Sequence, residues 1–229
     1  MRILVLGGTA EARALAADLH GRDGYRVVSS LAGRTGHPTL PEGDVRVGSF
    51  DGAGGLAAYL RTEAIDALVD ATHPFARVMS EHASQAAAAT GVRLIALRRP
   101  GWSPQPGDEW IRVAGLSEAA VRAAELPPEG GCVFVTTGRR GLEAYAQDER
   151  HPYLIRTVDR PTGPLPPHHT IVLDRGPYTL DGETALMERH DVRALVTKNS
   201  GGTSTEAKLV AARRRGIPVI IVEIGRAHV

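Results

Sequence analysis

The chain has 229 residues, a formal net charge of +1, 42% hydrophobic residues and only 4% aromatic ones, a length that suits two small α/β halves of roughly 100 residues each. So few rings imply a core of Ala, Val, Leu and Ile, and they argue against a base-stacking binder of single-stranded nucleic acid; the balanced charge directs the protein to neither nucleic acid nor membrane. The lone cysteine, Cys132, lies in the apolar run 132–135, which suits a buried strand and rules out an internal disulfide or a cysteine-rich zinc site.

In chain order, Met1 to Leu6 reads as a strand with no room ahead of it for a secretion signal. Short apolar runs then alternate with Ala/Leu-rich segments of helical period: strand 2–6, helix 10–20, strands 25–30 and 44–48, helix 54–63, strand 65–70, helix 76–89 and strand 92–97. The stretch 99–108 holds Pro100, Gly101, Pro104, Pro106 and Gly107, so it can be neither helix nor central strand and reads as an inter-domain connection. Beyond it come strand 110–114, helix 117–125, strand 132–137, helix 141–147, strands 153–158 and 170–174, helix 180–190, strand 194–198, helix 204–215 and strand 217–223. This alternation predicts an α/β fold with two Rossmann-like three-layer domains, 1–100 and 101–229, each built on a mainly parallel sheet. No apolar run approaches the ~20 residues that span a bilayer, so a cytoplasmic protein without membrane contact is expected.

The first strand runs straight into Gly7, Gly8, Thr9, Ala10 and Glu11. Glycines allow close approach of a pyrophosphate, and the amides that open a helix bind its charge. The spacing departs from G-x-G-x-x-G, since Ala10 and Ala12 stand where glycines are usual, and Glu11 does not welcome a phosphate. An ordinary tight turn capped by Thr9 is the competing account. The second strand leads to Ser29, Ser30, Gly33, Arg34 and Thr35, with no acid before Glu42. NAD would call for an Asp or Glu here; hydroxyls and a guanidinium suit the 2′-phosphate of NADPH instead. The fourth strand ends in Asp70-Ala71-Thr72-His73-Pro74-Phe75, a loop expected to border the nicotinamide through Thr72, His73, Pro74 and Phe75. Pro74 should hold His73 extended, as a candidate proton donor. His73 has no companion at metal-ligand spacing, and no metal is expected.

In the second half, a buried strand delivers Lys198 and Asn199, then Ser200, Gly201 and Gly202, then a helix for which Thr203 and Glu206 read as a capping box. This loop faintly echoes Gly7-Gly8-Thr9. Arg139, Arg175 with Tyr178, and Arg98 with Arg99 at the end of the first half also fall at predicted strand ends. Lys198 and Lys208 are the only lysines among 27 basic residues; a GC-rich genome explains such a bias, and so does a need for planar donors to carboxylates or phosphates. Together these groups would line a cleft suited to a polyanion. Tyr-x-x-x-Lys, the pair of short-chain dehydrogenases, does not occur; a non-catalytic NADP-sensing regulator is the alternative from another class.

Gly7-Gly8-Thr9-Ala10-Glu11-Ala12-Arg13, Gly33-Arg34, Asp70 to Ala76, Arg98 to Trp102, Thr137-Gly138-Arg139, Arg175 to Tyr178 and Thr197 to Gly202 together resemble the precorrin-6A and cobalt-precorrin-6A reductases, from residue 1 to about 223. The resemblance implies NADPH between two Rossmann-like domains, the first binding the dinucleotide and the second the substrate. It implies hydride transfer to a carbon–carbon double bond of a tetrapyrrole precursor of vitamin B12, then protonation of the neighbouring carbon. Arg98, Arg139, Arg175, Lys198, Asn199, Ser200, Gly201 and Gly202 would then bind the macrocycle's carboxylates. His73, Lys198 and Tyr178 are candidates for the proton. Hand-over of the macrocycle to neighbouring pathway enzymes is a further expectation.

Overall fold

A computed structural model describes residues 1–33, 39–126 and 131–223, and the chain divides into two compact units, Met1–Arg99 and Pro100–Val229. The first unit runs β1 (Arg2–Leu6), α1 (Ala10–His20), β2 (Arg26–Leu31), β3 (Asp44–Val47), α2 (Gly52–Thr62), β4 (Ala67–Asp70), α3 (Arg77–Thr90) and β5 (Arg93–Ala96). Its strands pair in parallel in the order β3-β2-β1-β4-β5. Alternation along the central strands sorts the core into two faces. Leu4, Leu6, Val28 and Leu68 pack with Leu56 and Leu60 of α2 and Ala83 and Ala86 of α3. Ile3, Val5, Val27 and Val69 meet Ala12 and Ala16 of α1. Small helix residues let the layers approach closely, which is how a chain poor in rings still fills its interior.

The second unit runs β6 (Trp110–Val113), α4 (Leu116–Ala124), β7 (Cys132–Val135), β8 (Tyr153–Thr157), β9 (His169–Leu173), α5 (Leu180–Arg189), β10 (Val192–Lys198), α6 (Ala207–Arg214) and β11 (Val219–Val222). Its six parallel strands lie in the order β6-β11-β10-β7-β8-β9. Phe134, Leu154, Leu195 and Ile221 pack against Met187 of α5 and Leu209 of α6, while α4 lies against β10 and β11. Cys132 is buried, and burial pushes its thiol up to about 11. Among the described residues no helix is long and apolar enough to cross a membrane.

Two predicted helices differ. Residues 141–147 form a single 3₁₀ turn, Leu142–Tyr145, begun by Gly141 at φ 81°. Its bonds span three residues, as Ala146 N to Glu143 O and Asp148 N to Tyr145 O, and they bring Tyr145 edge-on to Tyr153. The helix expected over 204–215 is divided into a 3₁₀ turn, Thr203–Thr205, and α6. The Thr203/Glu206 capping box does not form, because Gly202, at φ 81° and ψ 155°, stands at the turn's N-terminus and Glu206 is already helical.

Candidate functional site

In the first unit the chain leaves β1 towards α1 and β2 on one side, and reaches β4 and β5 on the other. The break between β1 and β4 is the switch point at which parallel sheets bind ligands, beyond the strands' carboxyl ends. Both predicted loops meet there. Gly7 N donates to Ser30 O at 2.9 Å, drawing the turn against β2. Gly8 has φ 107°, a conformation for glycine, and nothing lies within 4 Å of where its Cβ would be. Thr9 Oγ1 accepts from Ala12 N at 3.1 Å as the helix cap and donates to Ala71 O at 2.9 Å. One hydroxyl thus joins the glycine turn to the loop after β4. The Ala10 and Glu11 amides open α1, where no preceding carbonyl is available to them. Thr9, Glu11, Ala71, Thr72, Pro74, Leu97 and Arg99 line the resulting crevice.

The unfavourable acid in this turn is neutralised. Arg99 Nη1 donates to both oxygens of Glu11, at 2.8 and 2.9 Å. Burial acts to raise the Glu11 carboxyl, yet Arg99 and neighbouring donors bring it below its ordinary value. Asp70, buried at the end of β4, accepts from Thr72 N and Oγ1 at 3.1 and 2.7 Å and from Arg98 Nη2 at 2.6 Å. Burial again opposes ionisation, and the Arg98 and Thr72 bonds overcome it, holding the carboxyl low. Arg98, expected to bind substrate, also bonds Asp70 O and Ser80 Oγ through its guanidinium and so braces the loop after β4.

His73 is exposed at the start of a turn closed by Ala76 N to His73 O, with Pro74 in the second position. Its Nδ1 accepts from Phe75 N at 3.2 Å, which places the proton of a neutral ring on Nε2. Ser30 is buried, and its Oγ accepts from Arg46 Nη1 at 3.4 Å. Gly33 takes φ 67°; Arg34 and Thr35 lie outside the described residues. Arg46 was missed by sequence reasoning. It pairs in register with Ser30, bonds Gly48 O and lies over the Phe50 ring at 3.8 Å. Its only early signal is a charge in a strand beside the Ser29-Ser30 pair.

The second unit has its own switch point, between β10 and β7. Lys198, at the end of β10, donates to Thr137 O at 2.7 Å across that gap. Burial, then nearby Arg140, lowers its ammonium below the ordinary lysine value. Arg139 pairs with Asp159 at 3.7 Å, and Arg175 is exposed after β9. Tyr178 donates to Asp174 O at 3.2 Å. Asn199, expected to bind substrate, accepts at its Oδ1 from Trp102 N at 2.7 Å, and its Nδ2 donates to Trp102 O and Glu223. Ser200 is buried, and Trp102 Nε1 donates to Gly202 O at 3.1 Å. Gly201, at φ 65°, packs so closely on Pro100 O that no side chain fits.

Comparison with known proteins places the whole chain in one family. Residues 2–226 match the family described as precorrin-6x reductase CbiJ/CobK. The chain is 52% identical to a precorrin-6A reductase of Rhodococcus erythropolis, covering 96% of this chain and 88% of that protein. It is 44% identical to one of Rhodobacter capsulatus, covering 97% and 87%, and 30% identical to a cobalt-precorrin-6A reductase of Priestia megaterium, covering 96% and 89%. A solved CobK precorrin-6A reductase superposes with a TM-score of 0.92 at 43% identity, over all of this chain and 90% of that one. The chain belongs to the precorrin-6x reductase family.

Proposed function

We propose that the protein is a cytoplasmic oxidoreductase that reduces a carbon–carbon double bond of precorrin-6A, in cobalamin biosynthesis, with NADPH as reductant. The observation that carries this reading is the first glycine turn: Gly8 at positive φ with open space above it, the opening amides of α1, and Thr9 tying the turn to the loop after β4. These residues fit a dinucleotide. Gly7 to Glu11 would hold its pyrophosphate, Ser30, Gly33 and Arg34 its adenosine end, and Thr72 to Phe75 would border the nicotinamide. The chemistry supplied by the bound cofactor is a hydride.

In the second unit, Arg139, Arg175, Lys198 and the Ser200–Gly202 loop would receive macrocycle carboxylates. Their service is orientation, setting the acceptor carbon in one attitude. Tyr178 is the best placed proton donor, since it shares the carboxyl-end edge of that sheet with Arg175 and Lys198 and has a guanidinium against its ring. The higher identity to precorrin-6A reductases than to a cobalt-precorrin-6A reductase favours the metal-free macrocycle.

Stopped-flow absorbance with precorrin-6A and either NADPH or NADH tests this. Oxidation of NADPH, faster than of NADH and concurrent with a change in the macrocycle spectrum, is the expected result, and Arg34→Glu should remove the preference. An NADP-sensing regulator would bind NADPH without oxidising it.

A further inference from the structure

Arg156, on β8, is 5% exposed, and Glu183, on α5, is 2% exposed. The guanidinium meets the carboxylate in a two-pronged pair, Nη1 on Oε1 and Nη2 on Oε2, the latter at 3.0 Å. A buried ion pair is poor evidence of stability, because desolvating both ions consumes most of their attraction. Its neighbours suggest another purpose. The Arg156 guanidinium carbon lies 3.7 Å from the centroid of the Tyr178 ring and 4.9 Å from that of Phe134. A second cation, Lys208 of α6, is also buried, at 4% exposed, and packs against the Trp102 ring at 5.3 Å. Burial first, then Arg156, pushes the Lys208 ammonium down to about 7, and it is the Arg156 cation that lies against the Tyr178 ring.

We propose that Arg156, aimed by Glu183, is a positioning residue for Tyr178: it fixes the plane of the phenol and, as a cation on the ring face, favours loss of the phenolic proton to the substrate. The proposal rests on Tyr178 as proton donor in the reading above. When hydride reaches one carbon of the double bond, the electron pair left on its neighbour takes the proton. The phenolic O–H bond breaks, a C–H bond forms, and water later returns a proton to the tyrosinate. Burial opposes this ionisation and is the largest influence on Tyr178; Arg156 works against it, while Asp174 and Glu183 add to the opposition. The cation lies on the ring face and leaves the phenolic oxygen to its backbone partners, the Asp174 carbonyl to which it donates and the Gly176 amide.

Arg156→Met, Arg156→Lys, Glu183→Gln and Tyr178→Phe, each checked for folding by circular dichroism, test this with precorrin-6A and NADPH. Arg156→Met should lower kcat about tenfold and leave both KM values unchanged. It should also raise the solvent deuterium isotope effect, as proton transfer becomes limiting. Arg156→Lys, which keeps the charge, should recover most of the loss, and Arg156→Met should add nothing in a Tyr178→Phe background. Should Arg156→Met fail to fold, Glu183→Gln, which releases the aim but keeps the cation, carries the same expectations in weaker form. Raised KM values with an unchanged isotope effect, or equal losses for Met and Lys, would overturn the positioning role. Full turnover by Tyr178→Phe would instead remove Tyr178 as donor and with it the reading on which the proposal rests.

Discussion

An acid in the first turn of a helix suits the macrodipole, yet beside a phosphate it repels. Glu11 reconciles the two because Arg99 reaches both its oxygens and cancels the charge at short range, leaving the helix amides to act on an anion. Arg99→Ala should therefore weaken NADPH binding by about tenfold or more, since it leaves a carboxylate facing the cofactor. Adding Glu11→Gln should restore most of that affinity, and fluorescence titration of the single and double variants measures both. If the double variant binds no better than Arg99→Ala, Arg99 acts on the cofactor by some other route than through Glu11. Both residues stand out in the sequence, one in a glycine turn and one at a strand end, but their meeting does not. They are 88 positions apart, and no periodicity links side chains across a switch point. The same limit hid the pairing of Arg98 with Asp70 and the bonds by which Asn199 ties itself to Trp102.

Elements were legible in proportion to their length and pattern. The all-apolar interiors of β1 and β11 and the Ala-rich periods of α1 and α3 state their structure outright, because burial on both faces of a parallel strand, or on one stripe of a helix, leaves little else possible. The four residues of Leu142–Tyr145 do not, since a 3₁₀ turn shares the helix's spacing over so short a run. The loop after β4 lies between these cases. Its position was readable, but its rigidity depends on Asp70. In the fold the Asp70 carboxyl sits below its ordinary value of 3.8, and in the unfolded chain it returns there. Its contribution to stability is thus present above that value and is lost as pH falls through the folded-state one. The thermal midpoint should drop on acidification through this range. Asp70→Asn should start lower at neutral pH, by about 1–3 kcal/mol, and show a flatter acid limb, as calorimetry across pH would record. An acid limb as steep as the wild type's would remove Asp70 from the account.

Across the whole molecule, the two sheets repeat one neighbourhood with the chain order rotated. In the first unit β1 lies between β2 and β4, with β3 and β5 outside them; in the second, β10 lies between β11 and β7, with β6 and β8 outside them and β9 added. Helices α1 and α6 make the corresponding crossovers, as do α2 and α4. The echo between Gly7-Gly8-Thr9 and Gly201-Gly202-Thr203 therefore falls at equivalent switch points rather than at random, and it raises the question of how many dinucleotides one chain can hold. The turns differ in what lies above them. Gly8 faces open space, whereas Gly201 is covered by the Pro100 carbonyl, Asn199 is bonded to Trp102, and the Gly202 carbonyl accepts from the Trp102 indole. The second turn also opens into a 3₁₀ turn before α6 begins, so its amides do not converge as those of α1 do. The chain itself occupies the place where a pyrophosphate would rest. Isothermal titration should then give one NADPH per chain. Gly8→Val should abolish that binding, because a β-branched residue at φ 107° is strained and would fill the open approach. The corresponding change at the second turn, Gly202→Ala at φ 81°, should leave NADPH affinity within about twofold, while macrocycle turnover falls through disturbance of the loop that follows Lys198. A stoichiometry of two, or loss of NADPH binding on changing Gly202, would mean that both turns hold nucleotide and that Pro100 to Trp102 moves aside to admit it.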